Sequence, residues 1–155
     1  MSYNQDMLEA FIGTPKEFDW YKKAFNHFDT NSKSHWWWSS GAFIGGVWYF
    51  LYRKELKVAL TILFIELMLG AILPIKIFIL VFISISILIG GFGTSIIYKK
   101  YKRERNGIES MFKEVDKRIG VMKIIAGVNP VAYWAGILSM ISLILITVGL
   151  FIVAK

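Results

Sequence analysis

Long, weakly interrupted apolar runs limit what this chain can fold into more than any other feature. Residues 58–73, broken only by Thr61, Glu66 and Gly70, residues 75–98, and residues 131–154 each approach the length that crosses about 30 Å of hydrocarbon. With 55% hydrophobic residues the chain stands above the roughly 45–50% of ordinary globular domains. The expected fold is therefore all-α and polytopic: three transmembrane helices, an interfacial or re-entrant aromatic helix, and amphipathic cytoplasmic helices. Zero cysteines exclude a disulfide framework, a thiolate metal site and a cysteine nucleophile, and two histidines cannot make a three-histidine site. No cofactor or metal is expected.

Five sections follow. Residues 1–35 form a mixed, polar leader without the basic stretch and short apolar core of a secretory signal. Within it Thr14-Pro15-Lys16-Glu17 has the form of a capping box with proline at the first helical position, predicting a helix over residues 15–28. Phe18, Tyr21, Phe25 and Phe28 share one face of that helix. The stripe suits a membrane surface or, equally, packing on the rest of the protein or on a partner.

Residues 36–54, WWWSSGAFIGGVWYFLYRK, combine four tryptophans with four other aromatic residues beside an Arg-Lys pair. Trp36, Trp37, Trp38, Trp48, Tyr52, Arg53 and Lys54 read as anchors at the headgroup level, where amphipathic rings and snorkelling cations both find partners. The apolar part is only 17 residues long and carries Gly41, Gly45 and Gly46, which predicts an interfacial or shallow re-entrant helix.

Charge supports this division. With residues 55–98 as a hairpin, residues 99–130 as a loop and residues 131–155 as the last span, 16 of 18 basic residues share one side, leaving Lys76 and Lys155 opposite. A fourth span at residues 36–52 worsens the split to 12 against 6. By the positive-inside rule the N-terminus is cytoplasmic, the C-terminus outside, and Pro74-Ile75-Lys76 forms the outer turn. The loop opens with Lys99, Lys100, Lys102, Arg103 and Arg105, a run that can bind anionic headgroups or simply stop transfer and set orientation. An amphipathic helix is expected over residues 108–125, ended by Gly127 and Asn129-Pro130.

Glu66 lies midway along its span, where a lone carboxylate is costly and marks an inward face or a pathway. Ala59 and Gly70 flank it at helical spacing and permit close approach of another helix. Its expected partners are the hydroxyls of Ser84, Ser86 and Thr94, or of Ser139 and Ser142 in the stripe Ala135, Ser139, Ser142, Ile146, Gly149. Ser86, Gly90 and Thr94, extended by Gly91 and Gly93, form a small-residue row suited to helix packing within the chain or between copies. Gly90-Gly91-Phe92-Gly93 lacks the lysine and preceding strand of a nucleotide loop. His27 and His35 read as helix-covering and interfacial residues. The basic excess is explained by topology, so no nucleic acid is expected.

Residues 41–57, GAFIGGVWYFLYRKELK, and residues 90–103, GGFGTSIIYKKYKR, resemble an uncharacterised bacterial family of small inner-membrane proteins, a domain of unknown function. Ala42, Phe43, Gly46, Tyr52, Arg53 and Lys54 match its aromatic segment with a tyrosine-arginine-lysine triplet, and Gly90, Gly93 and Tyr98 its glycine-rich, basic exit. Ser39 and Ser40 stand where that family has asparagine-tryptophan, and Thr94 where asparagine is frequent. The resemblance covers about residues 10–105 and implies a bacterial inner-membrane location. The expected role is a non-enzymatic scaffold or accessory subunit, bound to anionic bilayer lipid and to a membrane partner or its own copies. The alternative is a small homo-oligomeric channel or ion-coupled transporter built around Glu66.

Overall fold

Gly13, at φ +67°, turns the chain between two leader helices, α1 (Tyr3–Ile12) and α2 (Pro15–Thr30). The turn abuts a second positive-φ glycine, Gly127, and a Cβ at Gly13 would lie 3.0 Å from the Gly127 Cα. The Gly127 amide donates to the Phe11 carbonyl at 2.9 Å, which stitches the leader to the far end of the loop. Only the second helix was expected from the sequence. In α1, Met7, Leu8, Phe11 and Ile12 are buried at helical spacing. The structure, a computed structural model, describes residues 3–31 and 35–153, and among them every regular element is an α-helix.

Two short helices follow, α3 (Ser40–Gly45) and α4 (Val47–Tyr52), broken at Gly46 with φ +48°. Then come α5 (Leu56–Ile72), α6 (Ile75–Met111), α7 (Val115–Ile125) and α8 (Pro130–Val153). Helix α6 is a continuous rod of 37 residues, about 55 Å long and some 25 Å longer than a hydrocarbon core is thick. The span expected to end at residue 98 does not end there as a helix. Lys, Arg and Glu are strong helix formers, so the basic run changes the solvent the rod meets without interrupting its backbone. The helix expected over residues 108–125 is correspondingly divided, its first turn belonging to α6 and the rest to α7.

The two halves of α6 have different surroundings. From Ile75 to Leu88 its large apolar side chains, Ile79, Leu80 and Ile83 among them, are mostly exposed, as are Phe64 and Leu67 on α5. From Ile89 to Ile108 one face is buried beneath α1, α2, α3 and α7. Two segments are long and apolar enough to cross a membrane by length and composition: Ile75–Met111, and Val115–Ser142, which runs through α7 and the first part of α8. Helix α5, with 17 residues, reaches about 25 Å, the short end of the spanning range.

Away from the hairpin, an aromatic core joins the leader to α6. Phe25 meets Tyr98 and Tyr101 at ring-centroid distances of 5.1 and 5.5 Å, and Phe28 meets Tyr98 at 5.3 Å. Of the two settings open to the α2 stripe, the chain's own core is the one observed: Tyr21, Phe25 and Phe28 are all buried. The capping box does not close as expected. Thr14 makes no bond to a helix amide; its hydroxyl donates to Glu17 Oε2 at 2.9 Å, because that carboxylate is turned toward Arg53.

Glu109 fastens α1 to α6. It accepts from Arg105 Nε at 2.8 Å and from the Tyr3 hydroxyl at 2.9 Å. The Arg105 bond holds its carboxyl below the usual 4.5, against a smaller opposing effect of burial. A depressed folded-state pKa contributes stability above the unfolded value, and that stability is lost as pH falls through the folded one. Acid titration below pH 4.5 should therefore loosen α1, and Glu109→Gln should flatten that part of the profile. Amide exchange in α1, compared at pH 5 and pH 3, checks it; equal slopes in both proteins would contradict the assignment.

Candidate functional site

The aromatic segment is held on α6 by missing side chains. Residues 35–39 run extended along the helix, and the Trp37 and Ser39 amides donate to the Gly91 and Gly90 carbonyls at 2.9 and 2.8 Å. Backbone can approach a helix this closely only where no Cβ intervenes. A Cβ at Gly91 would fall 2.2 Å from the Trp36 ring, at Gly90 2.9 Å from the Phe43 Cβ, and at Gly93 2.9 Å from the Ala42 Cβ. The small-residue row of α6 is thus occupied from within the chain. Ser39 then caps α3, its Oγ accepting from the Ala42 amide at 3.2 Å.

Of the triplet Tyr52-Arg53-Lys54, read as headgroup anchors, Arg53 is buried, Tyr52 is half-buried and Lys54 is exposed. Arg53 is 3% exposed; it donates to the Ile12 carbonyl at 3.0 Å, pairs with Glu17, and lies over the Tyr21 ring at 4.5 Å. Lys54, at φ +55°, reaches the Ala126 carbonyl at 2.7 Å. Tyr52 faces Tyr133 of α8 at 5.9 Å. Above Arg53 the buried hydroxyls of Tyr21 and Tyr49 are 3.0 Å apart. Burial first, and each other's proximity second, raises the Tyr21 pKa well above its ordinary 10.0, so both remain neutral phenols.

Lys100 closes this cluster. Only 4% exposed, its ammonium donates to the Arg53 and Lys54 carbonyls at 2.7 and 2.8 Å and lies 3.9 Å from Glu55, itself 5% exposed. Arg103 reaches the same carboxylate at 3.2 Å. Lys102 pairs with Asp29 at 2.7 Å and Arg105 with Glu109. Of the five cations read as headgroup ligands, Lys99 alone is without such a bond among the described residues. The reason is helical period: Ile97, Lys100, Tyr101 and Ile108 share one buried face, and that spacing was the available signal.

Deeper along the hairpin, Glu66, Ser86 and Ser139 line one cavity of about 490 Å³ beneath the break between α3 and α4. None of the hydroxyls expected to meet Glu66 donates to it. Ser84, Ser86 and Ser142 bond back to carbonyls four residues earlier, Ser139 to that of Gly136, and the buried Thr94 hydroxyl has no partner among the described residues. A serine inside a helix satisfies itself on its own preceding turn more readily than across a gap.

The remaining packing residues are placed as follows. Ala59 is fully buried, in the helix that packs on α4, and Gly70 faces the Phe78 ring across the hairpin turn. On α8 the inward stripe is shifted by one position from the expected one: Ala132 and Gly136 are buried, Gly136 against Trp48, whereas Ala135 is half-buried. The packing of Gly149 lies outside the described residues. Trp36 stacks edge-on against Phe92, Trp38 leans on Phe43, and Trp37 on Trp20 and His27.

Fold and site together define an α-helical protein in which a mixed-charge helical unit is built onto membrane-length apolar helices. No family model, curated protein or solved structure matches the chain.

Proposed function

We propose that this chain is a non-enzymatic integral protein of a bacterial inner membrane, an accessory or scaffold subunit with three spans: α5, the first half of α6, and α8. The N-terminus is cytoplasmic and the C-terminus outside. One observation carries the reading. The leader packs on the 99–130 loop, through Phe11 to Gly127 and Tyr3 to Glu109, so both must lie on one side of any membrane that α5 and α6 cross. A fourth crossing by residues 36–52 would separate them. The rod α6 then couples the lipid-borne hairpin rigidly to a cytoplasmic face, as a subunit that positions a partner requires.

The absence of native cysteine makes the topology directly testable. Cysteines replacing Asn26 and Ser110 should be shielded from a membrane-impermeant thiol reagent in intact cells, and one replacing Lys76 should be labelled. Labelling of Asn26→Cys alongside Lys76→Cys would refute the three-span arrangement.

The cavity at Glu66 favours a second reading, a self-associating channel or ion-coupled transporter, since a carboxylate without a hydroxyl donor lines open space beneath a broken helix. As an accessory subunit, the protein alone should leave proteoliposomes tight, and Glu66→Gln should keep its partner through mild-detergent purification. As a pore, it should support a pH-dependent flux that Glu66→Gln abolishes.

A further inference from the structure

A second cavity, of about 760 Å³, opens between α2, the α3–α4 elbow and α8. That volume is within the roughly 300–1,000 Å³ of small-molecule sites. Its lining changes character from one end to the other. At the aqueous end stand Lys16, Glu17, Tyr21 and Arg53; at the hairpin end stand Ile44, Trp48, Ile137 and Met140. The face of α8 that borders it carries Ala132 and Gly136, whose smallness lets Trp48 pack against the helix.

Two features of the aqueous end point to an anion. Lys16 and Arg53 against Glu17 leave one positive charge in excess. Arg53, almost wholly buried, spends one nitrogen on Ile12 and another on Glu17, while its Nε–H has no acceptor among the described residues. A buried donor without a partner carries a desolvation cost that a ligand oxygen, or a small shift of the guanidinium toward one, relieves. Lys16 is exposed at the rim and, among the described residues, outside the ion pairs that occupy most of the α6 cations.

We propose that this cleft holds one anionic glycerophospholipid of the cytoplasmic leaflet, its phosphate between Lys16 and Arg53 and its acyl chain against Ile44, Trp48, Ile137 and Met140. The inference rests on the membrane placement proposed above, and goes beyond it by assigning a bound lipid to one site. The basic run of α6 is not that site, because its cations are largely consumed by Glu55, Asp29 and Glu109. Headgroup and chain requirements coincide here, where charge and apolar wall meet in one concavity. Net charge, not shape alone, selects the lipid: a zwitterionic headgroup brings the same phosphate but adds an ammonium that the excess cation repels.

The test uses the full chain, purified in mild detergent, incubated with dioleoylphosphatidylglycerol or dioleoylphosphatidylcholine, and read by native mass spectrometry. One phosphatidylglycerol should be retained in preference to phosphatidylcholine. Lys16→Gln should lower that retention about fivefold, the loss of one cation's attraction at a headgroup. Met140→Trp should lower it by filling the apolar end, with helix content by circular dichroism unchanged. Lys99→Gln, exposed and remote from the cleft, should leave it intact. Equal retention of the two lipids, or an equal loss with Lys99→Gln, would identify ordinary annular lipid and overturn the assignment. Recovery of the folded protein in the aqueous fraction of lysed cells would instead overturn the membrane placement, so the two failures are distinguishable.

Discussion

Replacing Lys100 with methionine is expected to destabilise the protein by about 3–5 kcal/mol, the cost of breaking a buried ionic cluster from one side. The ammonium satisfies two carbonyls at the end of α4, those of Arg53 and Lys54, and stands beside the buried Glu55 carboxylate. Methionine fills much of the same volume but donates nothing, so a buried and a part-buried acceptor and part of a charge lose a partner. The neighbouring Lys99 is exposed, and Lys99→Met should change stability by less than about 0.5 kcal/mol. Thermal unfolding of both variants in detergent, followed by circular dichroism, makes the comparison. Similar midpoints for the two would show that the Lys100 cluster holds nothing together.

Gly93→Leu should be strongly damaging on the α6 surface facing the tryptophan segment. The Cβ alone would stand 2.9 Å from the Cβ of Ala42, and both atoms are fixed to backbone, so α3 must move. The leucine side chain would also meet Tyr49 and Phe50. Overpacking of this kind costs about 1–3 kcal/mol, and displacement of α3 would also strain the Trp37 and Ser39 bonds to the Gly91 and Gly90 carbonyls. Gly107, on the same helix, has nothing within 4 Å of its Cβ position. Gly107→Ala should therefore stabilise, by about 0.5–1 kcal/mol, through helix propensity. Tryptophan fluorescence reports the undocking as a red shift in Gly93→Leu alone. Unchanged emission and unfolding would mean that the aromatic segment is held elsewhere.

Much of the framework was legible before any coordinates. Pro74 ends one apolar run and begins another, and the hairpin turns there; Gly127 and Asn129-Pro130 end the loop helix before the last one begins. Each of these signals is local, a residue whose own backbone preference decides its conformation. Less was legible of the site. Glu66 was marked by cost alone, and the cavity it shares with Ser86 and Ser139 requires three helices to meet. The partnership of Glu55, Lys100 and Arg103 spans 48 positions and left no spacing rule to find it. The role of Gly93 was visible as smallness but not as the seat of Ala42, which depends on where residues 35–39 come to rest on α6.

Sequence alone determined that this is a helical chain with apolar runs of membrane length, since hydrophobicity and helical period are summed along the chain and need no distant partner. Tertiary structure alone decided which cations face water. Lys99 and Lys100 are chemically identical neighbours, and a 100° step around one helix sends the first into solvent and the second onto the carbonyls of Arg53 and Lys54. A charge's worth depends on the dielectric and the partners around it, and those are properties of the packed fold.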